Sequence, residues 1–228
     1  MIEPEQSESR RRLLAEIAEQ IVGAGGRRPR IAVDGVDGAG KSVFAAELAT
    51  TLGRFGREVV QLSVDGFHRQ RVQRHHRGRN SAVGFWLDSF DYPALRANVL
   101  DGFGPTGTGR YREASHDLSS DMRLDLPWRT ADPDSILVLD GLFLHRDELL
   151  TYWDFSVFLT VPFAVSVARM AHRDGSEPDP EHPANARYVG GQRLYFATCS
   201  PADRASLVID NTDLSRPQIV PRPAPHRP

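Results

Sequence analysis

Residues 35 to 42 read Gly-Val-Asp-Gly-Ala-Gly-Lys-Ser, an unbroken G-x-x-x-x-G-K-[ST]. The setting gives the pattern its meaning. Arg30-Ile31-Ala32-Val33-Asp34 ahead of it is a short apolar strand, and Val43 to Leu52 behind it repeats apolar residues at helical spacing. Strand, glycine loop, helix is the order that aims backbone N–H groups at phosphate oxygens. Gly35, Gly38 and Gly40 allow the bends, Lys41 reaches the β- and γ-phosphates, and Ser42 offers a hydroxyl to Mg²⁺. The whole stretch, including Val36, Asp37, Ala39 and the following Val43, is read as an ATP site. A Gly-rich turn without function leaves the adjacent Lys-Ser unexplained.

The rest of the chain builds around this unit. Residues 7–23 form an amphipathic helix with Leu13, Leu14, Ile17 and Ile21 on one side, stopped by Gly23, Gly25 and Gly26. Strands are expected at 58–64, 135–139, 154–161 and 207–209. Helices are expected at 91–103, 162–173 and 188–199. Residues 66–90 read as irregular, and 104–134 as loop with a small antiparallel excursion. The alternation predicts an α/β fold, a P-loop three-layer α/β/α sandwich on a parallel sheet. The expected organisation is an N-terminal helix (1–26), one domain over 27–215, and a disordered proline-rich tail (216–228). The domain carries an insertion at about 66–134 and an arginine-rich lid at about 169–188.

A formal charge of −2 and a single cysteine, Cys199, argue against a generally basic nucleic-acid binder and against a disulfide framework. Met1 to Arg12 has no apolar signal core, and no run approaches the roughly 20 apolar residues of a bilayer span. The expectation is a soluble cytoplasmic protein with no membrane partner, a homo-oligomer being open. Trp86, Trp128 and Trp153 are expected to pack, Cys199 to be a small core residue, and His75-His76 not to hold zinc. The basic run His68 to Arg79 has three readings: a flap over anionic substrate, a solvated loop, or a nucleic-acid contact.

Ligands of open α/β sheets sit beyond the carboxyl ends of the strands. Asp34, Asp65 and Asp140 each end a strand. Asp140 is placed to hold Mg²⁺ directly or through water. Asp65, in Asp65-Gly66-Phe67-His68, is either an acceptor of a hydroxyl proton or a turn residue. Asp34 is read as structural.

From about Arg30 to Asn211 these motifs resemble the uridine kinase family, within the wider group that includes phosphoribulokinase and bacterial pantothenate kinase. The resemblance implies Asp65 as general base and Lys41 on the phosphates. It implies that Asp91, in Phe90-Asp91-Tyr92-Pro93, holds ribose hydroxyls, and that Tyr111 and His116 contact a pyrimidine. Arg169 and Arg173 then belong to the lid that closes over the transferring group, and Arg187, in Arg187-Tyr188, stands where the family has a Gln facing the sugar. Asp140-Gly141-Leu142 stands where the family has Glu-Gly-Ile. The implied activity is ATP- and Mg²⁺-dependent phosphorylation of the 5′-hydroxyl of uridine or cytidine. Arg187 and His68 depart from that pattern and suit pantothenate, a sugar or a sugar phosphate instead. A nucleotide-dependent RNA-binding or regulatory protein is a third reading, carried by the basic run. The adenine pocket is poorly marked, with only Asn211 suggested.

Overall fold

The chain, seen in a computed structural model, is described over residues 7–221. Its first helix, α1 (Glu8–Ala24), starts where the Ser7 hydroxyl accepts the Arg10 N–H at 3.2 Å. Leu14, Ile17 and Ile21 then face Phe44, Leu48 and Leu52 of α2 (Lys41–Gly53) in one buried cluster. Full burial of each such side chain is worth about 1.5–3 kcal/mol. The N-terminal helix is therefore part of the domain's core rather than a segment of its own.

Between these helices runs β1 (Arg30–Gly35). The remaining elements follow in order: β2 (Val59–Ser63), α3 (Arg71–Arg74), α4 (Ala82–Asp88), α5 (Tyr92–Asn98), β3 (Arg110–Tyr111), β4 (His116–Asp117), β5 (Met122–Arg123) and β6 (Arg129–Thr130). Then come β7 (Ile136–Gly141), α6 (Asp147–Leu150), β8 (Phe155–Thr160), α7 (Phe163–Asp174), α8 (Ala186–Cys199), α9 (Pro201–Arg204), β9 (Leu207–Asp210) and β10 (Gln218–Ile219).

Six strands form one sheet in the order β2-β7-β1-β8-β9-β10, parallel except for β10. Every residue of β7 is buried, as expected for a strand with helices on both faces. One core lies between the sheet and α1–α2; the other holds Phe67, Phe85, Trp86, Phe143 and Tyr195 under α4, α5 and α8. In register, Val33 and Ser63 both pair with Asp140, so the carboxyl ends of β1, β7 and β2 are level. That level edge presents the loop and the strand-end acids together.

Three stretches depart from the sequence reading. Residues 66–90 are not irregular throughout. Ser81 caps α4, accepting the Gly84 N–H at 3.0 Å, and Phe85 and Trp86 dock this helix in the core. The expected helix over 91–103 is a shorter α5, which Asp91 caps, followed by a 3₁₀ turn at Leu100–Gly102. The tail is not structureless from Arg216: Gln218 and Ile219 pair antiparallel with Asp210 and Ile209, completing an edge that would otherwise be bare. Residues 222–228 of the expected tail lie outside the described residues.

Candidate active site

The phosphate loop leaves β1 at Gly35 and enters α2 at Lys41. Gly38 has φ +73°, and a Cβ there would sit 2.2 Å from the Ser166 carbonyl oxygen of α7, so loop and helix touch backbone to backbone. Gly40, in the left-handed region, precedes α2 and supplies no side-chain cap. The first N–H groups of α2 thus face outward at the positive end of the helix dipole, an arrangement made for an anion. The Lys41 ammonium donates to the Val36 carbonyl at 2.8 Å, beside the same N-terminus.

Several side chains hold this loop from outside it. Buried Asn211, just after β9, donates from Nδ2 to Ala39 O at 2.7 Å and accepts from Arg10 Nη1 at 3.1 Å. Its side chain braces the loop, which leaves the suggested adenine-side role without a free amide. Gln192 of α8 accepts the Asp37 N–H at 2.8 Å and donates to Asp37 Oδ2 at 3.3 Å. Nothing in the local sequence marks Gln192; it is a buried polar residue in the middle of an ordinary helix.

The two lid arginines separate. Arg169 donates to the carbonyls of Gly38 (3.4 Å), Asn211 (3.1 Å) and Thr212 (2.6 Å). The guanidinium implied for the transferring phosphoryl is engaged in tying the loop to the turn after β9, because three carbonyls converge on its planar fork. Arg173 is exposed, pairs with Asp174 at 3.0 Å, and its charge reaches Asp37.

Three acids lie at the level edge. Asp34 is fully buried: its carboxylate accepts from the N–H groups of Gly35, Leu144 and His145, from His145 Nδ1 at 2.8 Å and from the Tyr195 hydroxyl at 2.5 Å. It pins the turn after β7, where Phe143 sits at φ +65°, and its role is structural. Asp140 Oδ2 accepts the Ser42 hydroxyl at 2.7 Å. Burial pushes the Asp140 carboxyl above its usual range, against the pull of Ser42 and Lys41 and helped by the Asp65 charge. Asp65 lies on a 3₁₀ turn (Val64–Phe67) directly beyond β2, with its N–H on the Ser63 hydroxyl at 3.3 Å and its side chain exposed. Burial also raises Asp37, with Lys41 pulling down and Asp65 pushing up. The charges of Asp65 and Lys41 therefore meet over both Asp37 and Asp140.

Beside Asp65 opens a cavity of about 220 Å³, walled by His68, Arg69, Gln73, Asp91, His116 and Arg123 among others. Asp91 Oδ1 caps α5 through the Ala94 N–H at 3.0 Å, leaving Oδ2 for the cavity, and the Asp91 N–H is held by Phe67 O at 2.7 Å. The His68 ring lies 4.4 Å from that of Phe90, and its Nδ1 meets the Asp65 carbonyl at 2.9 Å. Burial lowers the His68 pKa, which keeps the ring neutral at pH 7.

Two residues expected at the acceptor lie elsewhere. Tyr111 is buried with its ring 5.7 Å from that of Phe103 and takes no part in the cavity wall that His116 lines. Tyr111 lies in the β3–β6 pair and His116 in the separate β4–β5 pair. Arg187, 7 % exposed, donates to the carbonyls of Arg74 (3.3 Å), Arg79 (3.3 Å) and Ser81 (3.2 Å). It anchors the basic segment instead of facing a sugar, because that segment has no partner strand for its carbonyls. Arg74 and Arg77 in turn pair with Asp121 (3.6 Å) and Asp88 (3.0 Å). Trp86 is buried in the core, whereas Trp128 is 41 % exposed under the guanidinium groups of Arg110 and Arg112.

The donor set fits a magnesium nucleotide. Ser42 Oγ and Asp140 are hard oxygen ligands at the mouth of an anion cradle, and Mg²⁺ takes one or two protein oxygens together with phosphates. A buried carboxyl with its pKa raised is one that a cation would relieve.

Fold and loop together define a P-loop kinase. A family model described as the phosphoribulokinase/uridine kinase family matches residues 30–178, and the chain belongs to that family. Among solved structures it is similar to a possible uridine kinase from Bacillus stearothermophilus (22 % identity, TM-score 0.67, 86 % of this chain and 97 % of that one). It is also similar to a protein from Silicibacter sp. TM1040 described provisionally as a fructose transport system kinase (22 %, TM-score 0.64, 81 % and 94 %). A third is phosphoribulokinase from Rhodobacter spheroides (17 %, TM-score 0.55, 80 % and 70 %). Members of such a family phosphorylate small metabolites. Among the described residues no helix is long and apolar enough to cross a membrane.

Proposed function

We propose that this chain transfers the γ-phosphoryl group of ATP to a hydroxyl of a small metabolite seated in the cavity beside Asp65. The observation that carries the reading is the placement of Asp65. Its charge acts on Asp37 and Asp140 on the phosphate side, and its backbone carbonyl meets His68 Nδ1 of the cavity wall at 2.9 Å, which supports a carboxylate close to both.

Lys41 and the amino end of α2 neutralise phosphate charge. Ser42 and Asp140 would hold Mg²⁺, which when bound offsets charge on the phosphate oxygens. Asp91 orients the acceptor. Asp65 takes the hydroxyl proton as the acceptor oxygen bonds to the γ-phosphorus; the bond from that phosphorus to the bridging oxygen breaks, and ADP leaves with its electron pair. Positioning and charge neutralisation supply most of the rate in such transfers.

The 5′-hydroxyl of uridine or cytidine is the acceptor suggested by the family's motifs. Asp91 and His116 support it by lining the cavity; Tyr111, buried in the core, does not. A cytoplasmic setting is part of the same proposal, resting on the single, free, buried thiol of Cys199. The test is acceptor-dependent ADP release with uridine, cytidine, adenosine, pantothenate and sugar phosphates, run beside Asp65→Asn. ADP release stimulated by an acceptor and lost in Asp65→Asn supports the reading. Hydrolysis indifferent to every acceptor and to Asp65 refutes it.

A further inference from the structure

The cavity beside Asp65 has a charge pattern that its hydroxyl-binding role does not require. Two arginines, Arg69 and Arg123, stand on its wall against one aspartate, Asp91. Their neighbours are neutralised: Arg74 pairs with Asp121, Arg77 with Asp88, Arg112 with Asp125 and Arg129 with Glu113. Among the described residues, neither Arg69 nor Arg123 has an acidic partner. Arg69 donates only its Nε, to Phe90 O at 3.1 Å, which aims the fork and leaves both terminal nitrogens unengaged. Arg123 comes from the short β4–β5 pair, directly across from His116. His116 is 3 % exposed, its Nε2 lies 3.1 Å from Asp121, and its buried Nδ1 has no partner. That nitrogen is sealed from the cavity, so His116 holds the wall in place through Asp121 and offers the ligand no polar atom there.

The wall is therefore two-sided. Asp91 and Gln73 suit hydroxyls. Arg69 and Arg123 suit an oxyanion, and arginine's fork matches carboxylate and phosphate alike. The cavity, about 220 Å³, is smaller than the roughly 300–1,000 Å³ of pockets for drug-sized ligands. We propose that the acceptor is a compact polyhydroxy anion, a sugar phosphate or a sugar acid, whose anionic group is held by Arg69 and Arg123 while a hydroxyl is presented to Asp65. This rests on the reading of the cavity as the acceptor site. It sets an anionic acceptor above a neutral nucleoside.

The experiment compares matched acceptors by coupled ADP release: ribulose and ribulose 5-phosphate, ribose and ribonate, and uridine. It uses the wild-type chain, Arg123→Ala and Arg123→Lys. Arg123 lies on an exposed two-residue strand, so its replacement leaves the fold intact, which thermal melting checks. Loss of one charged hydrogen-bonding partner should raise the KM of the anionic acceptor roughly 10- to 100-fold. The KM of ATP should stay unchanged, and Arg123→Lys should recover part of the loss. The phosphate and carboxylate arms tell which oxyanion the site takes. Equal kcat/KM for ribulose and its phosphate, a preference for uridine, or an Arg123→Ala effect equal on neutral and anionic acceptors would overturn the proposal.

If no acceptor stimulates ADP release, the kinase reading fails on its own. The anion site is then decided by titrating ribulose 5-phosphate and ribonate into protein saturated with a non-hydrolysable ATP analogue. Binding by wild type that weakens in Arg123→Ala supports the site. Binding equal in both, or absent from both, removes it.

Discussion

Gln192 of α8 holds the phosphate loop at Asp37 from two sides, accepting the backbone N–H at 2.8 Å and donating to the carboxylate at 3.3 Å. Helix α8 is thereby coupled to the phosphate loop. Gln192→Met keeps the length and removes both bonds. The expected result is an ATP KM raised about 5- to 10-fold, with acceptor KM little changed, since one neutral hydrogen bond is worth about 0.5–1.5 kcal/mol. Gln192→Glu places a carboxylate against Asp37, whose acid is already raised by burial, and should weaken ATP further than Met does. Steady-state kinetics at varied ATP measures both.

Asp140 is strained by burial in its ionised form. Its pKa is raised on folding, so its contribution to stability is present below the unfolded pKa and lost as pH rises through the folded one. At neutral pH the ionised carboxylate therefore works against folding. Asp140→Asn should melt about 2–4 °C higher than wild type at pH 7.5 without Mg²⁺, the shift made by ~1 kcal/mol in a domain of this size. Stabilisation by Mg²⁺–nucleotide and turnover should both disappear in the variant. Thermal melts with and without Mg²⁺–ADP are the check. A lower melting temperature for the variant would contradict the argument.

Much of this architecture is visible in the sequence because its signals are local. Ile136–Leu139 is a continuous apolar run and forms the fully buried β7. Gly35–Ser42 specifies its own loop, and Asp34, Asp65 and Asp140 follow from where strands end. What escapes is carried by partners far along the chain. Arg187 looks like a lid residue facing substrate, yet its bonds go to carbonyls 106 to 113 residues earlier. Arg169 likewise reaches Gly38 and Thr212. Tyr111 and His116 fall in two different strand pairs, β3–β6 and β4–β5, whose partners lie further along the chain and are not marked by spacing. Gln192 carries no local mark at all.

Arg187 organises the basic segment through part-buried hydrogen bonds to the carbonyls of Arg74, Arg79 and Ser81. Arg187→Met keeps an unbranched apolar stem and removes the donors together with the guanidinium over the Phe85 ring. Hydrogen bonds from a charged donor are worth about 1.5–3 kcal/mol net, so their loss should lower the melting temperature by about 3–12 °C. The segment carries Arg69 and Gln73 to the cavity wall. Acceptor KM should therefore rise several-fold while ATP KM holds. A rise in ATP KM alone would place Arg187 on the nucleotide side instead.

Asp65 bears on both the chemistry and the acids around it. Asp65→Asn removes the proton acceptor while keeping size and hydrogen-bonding shape. Turnover should fall about 10²- to 10⁴-fold, the usual worth of a positioned base, with ATP KM within a few-fold of wild type. A second effect follows from charge. Asp65 pushes the carboxyls of Asp37 and Asp140 upward, so its neutralisation lets both fall toward the ordinary carboxylate range. Protonation of Asp140 competes with Mg²⁺, so the acid limb of Mg²⁺-dependent stabilisation should move to lower pH in Asp65→Asn. Melting temperatures with Mg²⁺–ADP between about pH 4.5 and 7.5 read this shift independently of turnover. A turnover loss without any movement of that limb would mean that Asp65 lies too far from Asp140 for their charges to interact, and an unchanged turnover would remove Asp65 from the base role.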